Sequence, residues 1–447
     1  MPQLKVLICG AGIAGNALAF WLSKLGHETT VIERFPKIRA SGLQVDLRGP
    51  GIQVMRRMGL EEAFRARSVS EQGLQLVDHK GKSWGYFPAN RSGKGLQSFT
   101  TDFEIMRGDL CQLLYDVTRD RVEYRFGTFV RELKQMDDYV DVLFSDESRE
   151  RFDLVVGADG SGSHTRKMIL GSSAKDPVHP LGVYAGYFTI QESVQPGEGY
   201  NATAFIATGN KGIMTRRADP HRYQAYMFCN PDSSERLKSA SKGDIEDEKK
   251  GLAEAFLGVG WKTNEILKGL IDADDFYCER MGVVTMDYWS QGRIALVGDA
   301  AYCPTAMTGM GTTCAMAGAY ILAGEIGKHC GKGFQGGMPV PKNSIEIALT
   351  EYEEKLRPFI NTVQRGLTDS DNYMDKFPSS PLGVQMVYVV FWVASLLRLD
   401  FLAKWLLRED TKGWKLPEYK QMLDQCCKFN RRYCHQFSLF RTSDDCL

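Results

Sequence analysis

The residues of this chain whose types and positions could do chemistry are three carboxylates at the ends of apolar runs: Glu33, Asp159 and Asp299. A carboxylate at the end of a buried strand can accept hydrogen bonds from the hydroxyls of a ribose or a similar chain. The seven histidines include none in a motif, and a lone histidine is most often structural. The pattern points to a nucleotide site, with no catalytic acid or base and no metal ligand assigned.

The first carboxylate closes a predicted strand–helix–strand unit. An apolar run from Leu4 to Cys9 ends in G-x-G-x-x-G, a helix follows to Leu25, and a second strand reaches Glu33. The glycines permit a sharp turn, close approach of a pyrophosphate and close packing of the helix, whose amides and dipole stabilise phosphate charge. The predicted dinucleotide ligands are Gly10, Gly12, Ala14, Gly15 and Glu33. The acid favours FAD or NAD over NADP at this position, and the motif does not choose between those two.

The second carboxylate, Asp159, follows the apolar run 154–156 inside the sequence GADG. An aspartate at a strand end can brace the first glycine loop and contact the riboses of the cofactor. The alternative is an Asx turn, which requires only Asp159 and Gly160.

The third carboxylate, Asp299, follows another apolar strand in the sequence GDAA, and a long helix of small residues comes after it. This position suits acceptance of hydroxyls from a sugar-like chain. The start of the helix predicts an anion-stabilising site with four candidate residues, Gly309, Gly311, Thr312 and Thr313.

Two further polar positions lie between these motifs. Asp46 and Arg48 precede a predicted helix from Gly51 to Met58, and Arg107 stands at the start of another helix. A guanidinium at a helix start can meet phosphate or ribose oxygens. The alternative for Arg107 is a surface salt bridge.

The composition limits the classes of partner. Lysine plus arginine and aspartate plus glutamate both number 55 in 447 residues, so no global field recruits nucleic acid, and small, largely uncharged partners are expected. The eleven cysteines form no C-x-x-C pair, which favours reduced thiols, and those near the end match no zinc pattern. The first apolar segment is the nucleotide strand rather than a secretory signal, which predicts a cytoplasmic protein.

The spacing of the runs predicts an α/β protein with a second lobe. Strand-like runs at 182–190, 202–208 and 222–229 predict an antiparallel sheet, and 124–144 alternates like a small meander. We expect a discontinuous nucleotide-binding domain (1–75, 100–180 and 285–365), a β-sheet substrate domain (76–99 and 181–284) and a C-terminal helical region (366–447).

GAGIAG with Glu33, GADG at 157–160 and GDAA at 298–301 together resemble the flavin-dependent aromatic hydroxylases. These class A flavoprotein monooxygenases include p-hydroxybenzoate hydroxylase and the tetracycline-inactivating monooxygenases, and the resemblance covers roughly residues 4–365. It implies a Rossmann-like FAD-binding domain interwoven with a mixed β-sheet substrate domain. It also implies FAD contacts by Asp46 and Arg107, adenine contact by Arg34, contacts to FAD and NAD(P)H by Asp159, and ribityl and pyrophosphate contacts by Asp299.

The resemblance implies an activity as well. NADPH or NADH would reduce the FAD, O2 would form a flavin C4a-hydroperoxide, and one oxygen atom would hydroxylate or epoxidise a small apolar or aromatic, secondary-metabolite-like substrate. The helix start at 309–313 would stabilise the negative charge of reduced flavin. The chain departs from the family pattern at Tyr302, Thr313 and Gly318, so substrate position and proton relay in this loop are left unassigned.

Other functions remain alternatives. A flavin-dependent oxidase, halogenase or reductase shares the fold, although no halogenase signature is present. An NAD-dependent dehydrogenase would leave the two later motifs unexplained. A non-catalytic carrier that lost its flavin is disfavoured by the presence of Glu33 and Asp299.

The stretch 377–397 contains no charged residue, but prolines near its start leave fewer than the about 20 apolar residues that a membrane crossing needs. We expect a helix docked on the FAD domain. The alternative is an interfacial helix that gives peripheral membrane contact through 382–407.

Overall fold

Two large β-sheets organise the chain. The computed structural model describes residues 4–38, 42–90, 102–171, 174–330, 342–369, 378–397 and 413–423. The first sheet has the strand order β17-β18-β11-β1-β2-β7. Its strands are β1 (Lys5–Cys9), β2 (Glu28–Glu33), β7 (Glu123–Phe126), β11 (Leu154–Gly157), β17 (Ser290–Gln291) and β18 (Ile294–Leu296). All neighbours pair in parallel except β17 with β18.

Helices cover the parallel sheet and form one large core with it. They are α1 (Ile13–Leu25), α2 (Gly49–Met58), α3 (Glu61–Arg65), α4 (Arg107–Asp116), α5 (His164–Leu170), α9 (Asp299–Tyr302), α10 (Gly311–His329), α11 (Lys342–Gln364) and the short α13 (Lys420–Leu423). The helix α10 packs against α1, α2 and α11. Because β1 is apolar on both faces, it is covered on both sides, as the continuous run from Leu4 to Cys9 predicts.

The second sheet has the strand order β16-β12-β15-β14-β13-β4-β5. Its strands are β4 (Gly73–Val77), β5 (Ser83–Pro88), β12 (Val178–Gln191), β13 (Asn201–Ala207), β14 (Lys211–Asp219), β15 (Arg222–Cys229) and β16 (Tyr277–Val284). Only β13 and β4 pair in parallel. One face packs on α6 (Glu235–Ser239), α7 (Ile245–Phe256) and α8 (Thr263–Asp272), and the other faces the first lobe. The predicted fold class is confirmed.

Two smaller sheets complete the fold. One consists of β8 (Val130–Gln135), β9 (Val140–Phe144) and β10 (Arg149–Phe152), and the other pairs β3 (Gln44–Asp46) with β6 (Glu104–Met106). The prediction of one meander from residue 124 was wrong at its start. Tyr124 belongs to β7, which extends the parallel sheet, and its hydroxyl donates to Oδ1 of Asn16 on α1 at 2.8 Å.

The apolar C-terminal stretch forms α12 (Pro381–Leu396), which packs on β5 of the second sheet. Docking on the FAD domain was therefore the wrong expectation. The Tyr388 hydroxyl lies 2.8 Å from the carbonyl oxygen of Val77 and accepts the Ile206 N–H at 3.1 Å. These bonds use backbone groups of β4 and β13, which sequence periodicity does not reveal. Within the described residues, no helix is both long and apolar enough to span a bilayer.

Candidate active site

The three glycine motifs meet at the carboxyl edge of β18, β11, β1 and β2, which are neighbours in the parallel sheet. Gly10 has a φ of 114°, and a Cβ there would lie 2.6 Å from the carbonyl oxygen of Ala158. A Cβ on Gly298 would lie 2.8 Å from the Cβ of Ala14 and 3.7 Å from that of Ala315. The small residues thus bring the starts of α1 and α10 together.

In the described part of the chain, the starts of α1 and α10 both leave backbone N–H groups without a side-chain cap, as helix starts that bind anions do. The start of α1 is at Gly12 and that of α10 follows Met310, and among the described residues no side chain caps either one. By contrast, Ser163 caps α5 and Asp244 caps α7. The first amides of a helix lack partners within the helix, so uncapped starts retain donors for a ligand.

Room for a ligand is left beside the first of these helix starts. Apart from its chain neighbours and the backbone of its own helix, no described atom lies within 4 Å of the position that a Cβ on Gly12 would take. Gly15, in contrast, is closely packed, since a Cβ there would overlap the carbonyl oxygen of Gly10. The structure therefore distinguishes a glycine that faces open space from one that fits the helix to the turn.

Glu33 lies at the end of β2 and is half-buried. Its carboxylate accepts the N–H of Ala11 at 3.0 Å and that of Phe35 at 3.1 Å. Glu33 therefore braces the glycine loop in addition to any role toward a ribose. Arg34 is exposed, and its guanidinium lies 5.0 Å from the centroid of the Phe35 ring.

Asp159 adjoins the first motif, since a Cβ on Gly10 would lie 3.1 Å from its Cα. Its carboxylate accepts hydrogen bonds from the Ser163 hydroxyl at 2.5 Å and from the backbone N–H groups of His164 at 2.8 Å and Thr165 at 2.9 Å. Asp159 thus bonds to the first two amides of α5 and to Ser163, its N-cap residue, which is more than the two-residue Asx turn requires. Its contact with the cofactor remains a prediction.

Arg48 connects Thr313 with Asp46, since its backbone bonds to the Thr313 hydroxyl and its side chain bonds to the Asp46 carboxylate. The Thr313 hydroxyl accepts the Arg48 N–H at 2.9 Å and lies 3.2 Å from its carbonyl oxygen, so it joins the starts of α2 and α10. The buried Arg48 side chain donates to the Asp46 carboxylate at 2.5 Å. Thr313 therefore has a structural role that its position after a glycine did not indicate, and Thr312 beside it is half-buried.

Asp299 lies in the first turn of α9, near the start of α10, and a Cβ on Gly311 would be 4.0 Å from its Oδ1. Burial raises the pKa of Asp299, and the positive charge of Arg107 opposes this shift. The charge of Arg107 therefore reaches Asp299, and the contact of Arg107 with the cofactor stays a prediction. The half-buried Gly309 adopts a left-handed conformation, with φ 63°, in the loop between α9 and α10.

Two departures from the family pattern compensate each other. The position of a Cβ on Gly318 is occupied by the hydroxyl of Tyr302. Tyr302 is 1% exposed, and its hydroxyl lies 3.2 Å from that of Tyr352. The large side chain of Tyr302 therefore fills the space that the absence of a side chain at Gly318 leaves in the core.

Sequence reasoning missed a buried ionic cluster between the lobes. Arg216 on β14 donates to Glu71 at 2.7 Å and to Glu104 on β6. Gln44 on β3 also donates to both carboxylates. Burial, with the added repulsion of Glu71, raises the pKa of Glu104 to about 8, against the attraction of Arg216. The partners come from four distant segments, so spacing along the chain gives no signal of the cluster.

A second missed residue is Glu279 on β16. Burial and the nearby charge of Asp299 raise its pKa, whereas Arg107 lowers it. A lone glutamate in a strand carries no motif. Its electrostatic interaction with Asp299 became evident only from the packing of α9 against β16.

A third group, Glu325, His329 and Glu351, brings its ligand-type atoms within 4.8 Å of one another. Lys355 donates to both Glu325 and Glu351, at 2.5 and 2.7 Å, and Lys328 donates to Glu351 at 2.7 Å. The ammonium groups already supply the positive charge that a cation would bring. This group is an ion network that joins α10 to α11.

The site fits FAD on its own geometry. Two uncapped helix starts, open space beside Gly12, and two carboxylates at strand ends provide donors for phosphates and acceptors for hydroxyls. In comparisons with known proteins, the family described as "FAD binding domain" matches residues 3–333. This chain belongs to that family.

The relatives agree with this assignment. The chain is 48% identical over 432 residues to "FAD-dependent monooxygenase asL4" of Sarocladium schorii, covering 95% of this chain and 100% of the relative. It is 40% identical over 408 residues to "Flavin-dependent monooxygenase eupH" of Phoma sp, covering 87% and 91%. The crystal structure of tetracycline destructase Tet(51) aligns with a TM-score of 0.72 at 29% identity, covering 94% and 100%. The chain is an FAD-dependent monooxygenase, and the predicted family is confirmed.

Removing either of two carboxylates should weaken FAD binding. Asp299→Ala and Glu33→Ala each lose charge-assisted hydrogen bonds worth about 1.5–3 kcal/mol, so we expect FAD affinity to fall about 10- to 100-fold. Titration of flavin fluorescence with the apoprotein measures this. Asp138→Ala, at a carboxylate that is 87% exposed, is the control. Equal FAD affinity in all three variants would remove these residues from the site.

The buried cluster should make stability depend on pH. Glu104 keeps its proton in the folded protein up to about pH 8, whereas the unfolded chain releases it near the ordinary value for glutamate. Between these values the free energy of unfolding should fall as pH rises, by at most about 1.4 kcal/mol per pH unit. Glu104→Gln should flatten this slope in denaturant titrations at pH 6 and 8, and the exposed Glu132→Gln should not. The same slope in all three proteins would contradict the assignment.

Proposed function

We propose that this monooxygenase uses NADPH or NADH and O2 to hydroxylate or epoxidise a small, largely apolar or aromatic substrate of the secondary-metabolite type. The observation that carries the proposal is the juxtaposition of two uncapped helix starts with an apolar, tyrosine-rich sheet face on the other lobe. The first feature suits a phosphate-bearing cofactor, and the second suits a flat apolar molecule beside it.

The proposed division of labour follows the two lobes. The cofactor lobe comprises 1–75, 100–180 and 285–365, the substrate lobe comprises 76–99 and 181–284, and residues 366–447 form the C-terminal helical region. That β4 and β5 join the second sheet supports this division. The proposed FAD ligands are Gly10, Gly12, Ala14, Gly15, Glu33, Arg34, Asp46, Arg107, Asp159, Asp299, Gly309, Gly311, Thr312 and Thr313.

When bound, FAD accepts a hydride from the nicotinamide and activates O2 for transfer of one oxygen atom. The protein positions the cofactor and sets the surrounding field. The start of α10 contributes positive partial charge, which stabilises negative charge on the cofactor as an oxyanion hole does. The apolar packing of Leu43 and Met307 against the second sheet restricts water between the lobes.

The nicotinamide has no separate complete site in the sequence. The G-x-G-x-x-G at 10–15 lies between a strand and a helix and is followed by a strand that ends in an acid, and FAD occupies it in this proposal. The same pattern at 331–336 comes directly after the helix α10 instead of a strand. NADPH or NADH must then bind transiently, at a surface contributed by both lobes. Reduction in the absence of substrate would waste the nicotinamide as hydrogen peroxide, so substrate should gate the reduction.

The gate can be tested by stopped-flow reduction without oxygen. We expect NADPH or NADH to reduce the bound flavin faster when a substrate that is turned over is present. With isotopically labelled O2, we expect one labelled oxygen atom in the product.

Each alternative gives a different outcome. Equal reduction rates with and without substrate would reject the gate. Formation of hydrogen peroxide with no oxygen from O2 in the product would indicate an oxidase. A covalently bound halogen atom in the product would indicate a halogenase. A reduced product that contains neither oxygen from O2 nor a halogen would indicate a reductase.

We also propose that the outer face of α12 makes peripheral contact with a membrane. One side of this helix packs on β5, and the other exposes large apolar side chains: Leu382, Met386, Val390, Trp392 and Leu396 are 74%, 62%, 50%, 50% and 67% exposed. Such a patch on a protein surface commonly marks an interaction site. The proposed segment is 382–407, of which 398–407 lies outside the described residues.

Flotation with liposomes tests this contact. We expect the protein to float and the double variant Met386→Lys with Val390→Lys to float less, because both charges would lie on the exposed face. FAD content should stay unchanged. The exposed double variant Asp138→Asn with Glu147→Gln, which raises the net charge by the same two units, is the charge-matched control. Failure of the original protein to float, or equal flotation of all three, would overturn the proposal.

A further inference from the structure

The side of the second sheet that faces the first lobe, here called the interlobe face, is defined by its register. Strands β12 and β16 pair Tyr187 with Tyr277 and Ala185 with Glu279, so these four side chains point to the same side. The rings of Tyr187 and Tyr277 are 5.0 Å apart between centroids, in agreement with this. Strands β15 and β14 add Tyr226, Phe228 and Met214.

The interlobe face meets the cofactor lobe. Leu43, beside β3, Met307, in the loop before α10, and Leu367, after α11, pack against its apolar residues. Met307 lies between Asp299 and the start of α10, so this contact adjoins the proposed cofactor site. A molecule held on the interlobe face therefore lies beside the cofactor site.

Accessible surface remains on one part of this face. Met214, Phe228, Tyr277 and Glu279 are half-buried, whereas the Tyr187 and Tyr226 rings between them are buried. Strand β14 is three strands from β16, which corresponds to about 14 Å at the usual strand spacing. The result is an apolar, aromatic wall with a carboxylate at one end.

Glu279 differs from the other charged residue on this face. Arg216 is paired with two carboxylates, but no described residue forms an ion pair with Glu279. Its cross-strand neighbour is Ala185, whose side chain is a single methyl group. A half-buried carboxylate without an ion pair has acceptor capacity for a ligand.

We propose that Glu279 accepts a hydrogen bond from the hydroxyl of a phenolic or enolic substrate whose flat body lies on Tyr277, Phe228 and Met214. This inference rests on the proposed monooxygenase function. Because the carboxylate accepts a hydrogen bond from the hydroxyl, electron density on the substrate ring or enol increases. The greater electron density favours attack by the substrate carbon on an electrophilic oxygen. Glu279 thus selects substrates that carry an acidic hydroxyl and orients that hydroxyl toward β16.

The charges around Glu279 suit this role. Burial and Asp299 raise its pKa, so its carboxylate is a stronger hydrogen-bond acceptor than that of an exposed glutamate. The charges of Arg107 and Lys242 and hydrogen bonding with Tyr187 oppose this rise in the pKa.

The test compares phenols with their methyl ethers. Perturbation of the flavin absorbance measures binding of orcinol, of orcinol dimethyl ether, and of a panel of larger phenols, each with its own methyl ether. In the original protein we expect the phenols to bind at least about 10-fold more tightly than the ethers, because a methyl ether cannot donate to a carboxylate. In Glu279→Gln this preference should fall by about 10-fold, with FAD content unchanged. The control is Glu265→Gln, at an exposed position on α8 on the other side of the sheet.

The outcomes separate this inference from the proposed function. If Glu279→Gln keeps the phenol preference, or if the original protein binds phenols and ethers equally or binds neither, the role of Glu279 is overturned. Absence of bound FAD, or of oxygen incorporation, in the original protein would overturn the proposed function instead. A loss of preference in Glu265→Gln equal to that in Glu279→Gln would also overturn the assignment, because the effect would not be specific to the interlobe face.

Discussion

Close backbone packing at the carboxyl edge of the parallel sheet is the constraint on which the rest of this structure depends. Gly10 lies against the carbonyl of Ala158, and Gly298 lies between Ala14 and Ala315. A side chain at either glycine would push the loops apart. With the loops in contact, α1 and α10 begin side by side, and two helix starts serve one site. A chain with equal numbers of acidic and basic residues can therefore bind a phosphate-bearing cofactor through local dipoles instead of net charge.

The sequence was sufficient for features whose signals are local. A buried strand, a glycine turn, a helix and an acid follow one another from Leu4 to Glu33, so their types and order predict the nucleotide-binding unit without knowledge of the rest of the fold. Three of the seven strands of the second sheet, β12, β13 and β15, follow in the same way from runs rich in β-branched and aromatic residues. Strand β14 is less evident because it carries Arg216 and Arg217, whose charges depart from ordinary strand composition.

Features that depend on distant partners could not be predicted. The hydroxyl of Thr313 bonds to the backbone of Arg48, and α12 packs on β5, hundreds of residues away along the chain in each case. The exchange between Tyr302 and Gly318 belongs here too. Each departure alone suggests a lost functional residue, but together they keep the core filled. Packing therefore accounts for both departures without a role in catalysis.

The interlobe face is the proposed location of substrate recognition, and electrostatics links it to the proposed cofactor site. Arg107 at the start of α4 opposes the raised pKa of both Asp299 and Glu279, and these two carboxylates also repel each other. A substrate hydroxyl that shares its proton with Glu279 would reduce this repulsion. Binding on the substrate lobe would thereby change the field on the cofactor lobe, and a ligand that interacts differently with two arrangements of the lobes shifts their populations. The three charges thus supply a physical route by which substrate could favour the arrangement competent for reduction.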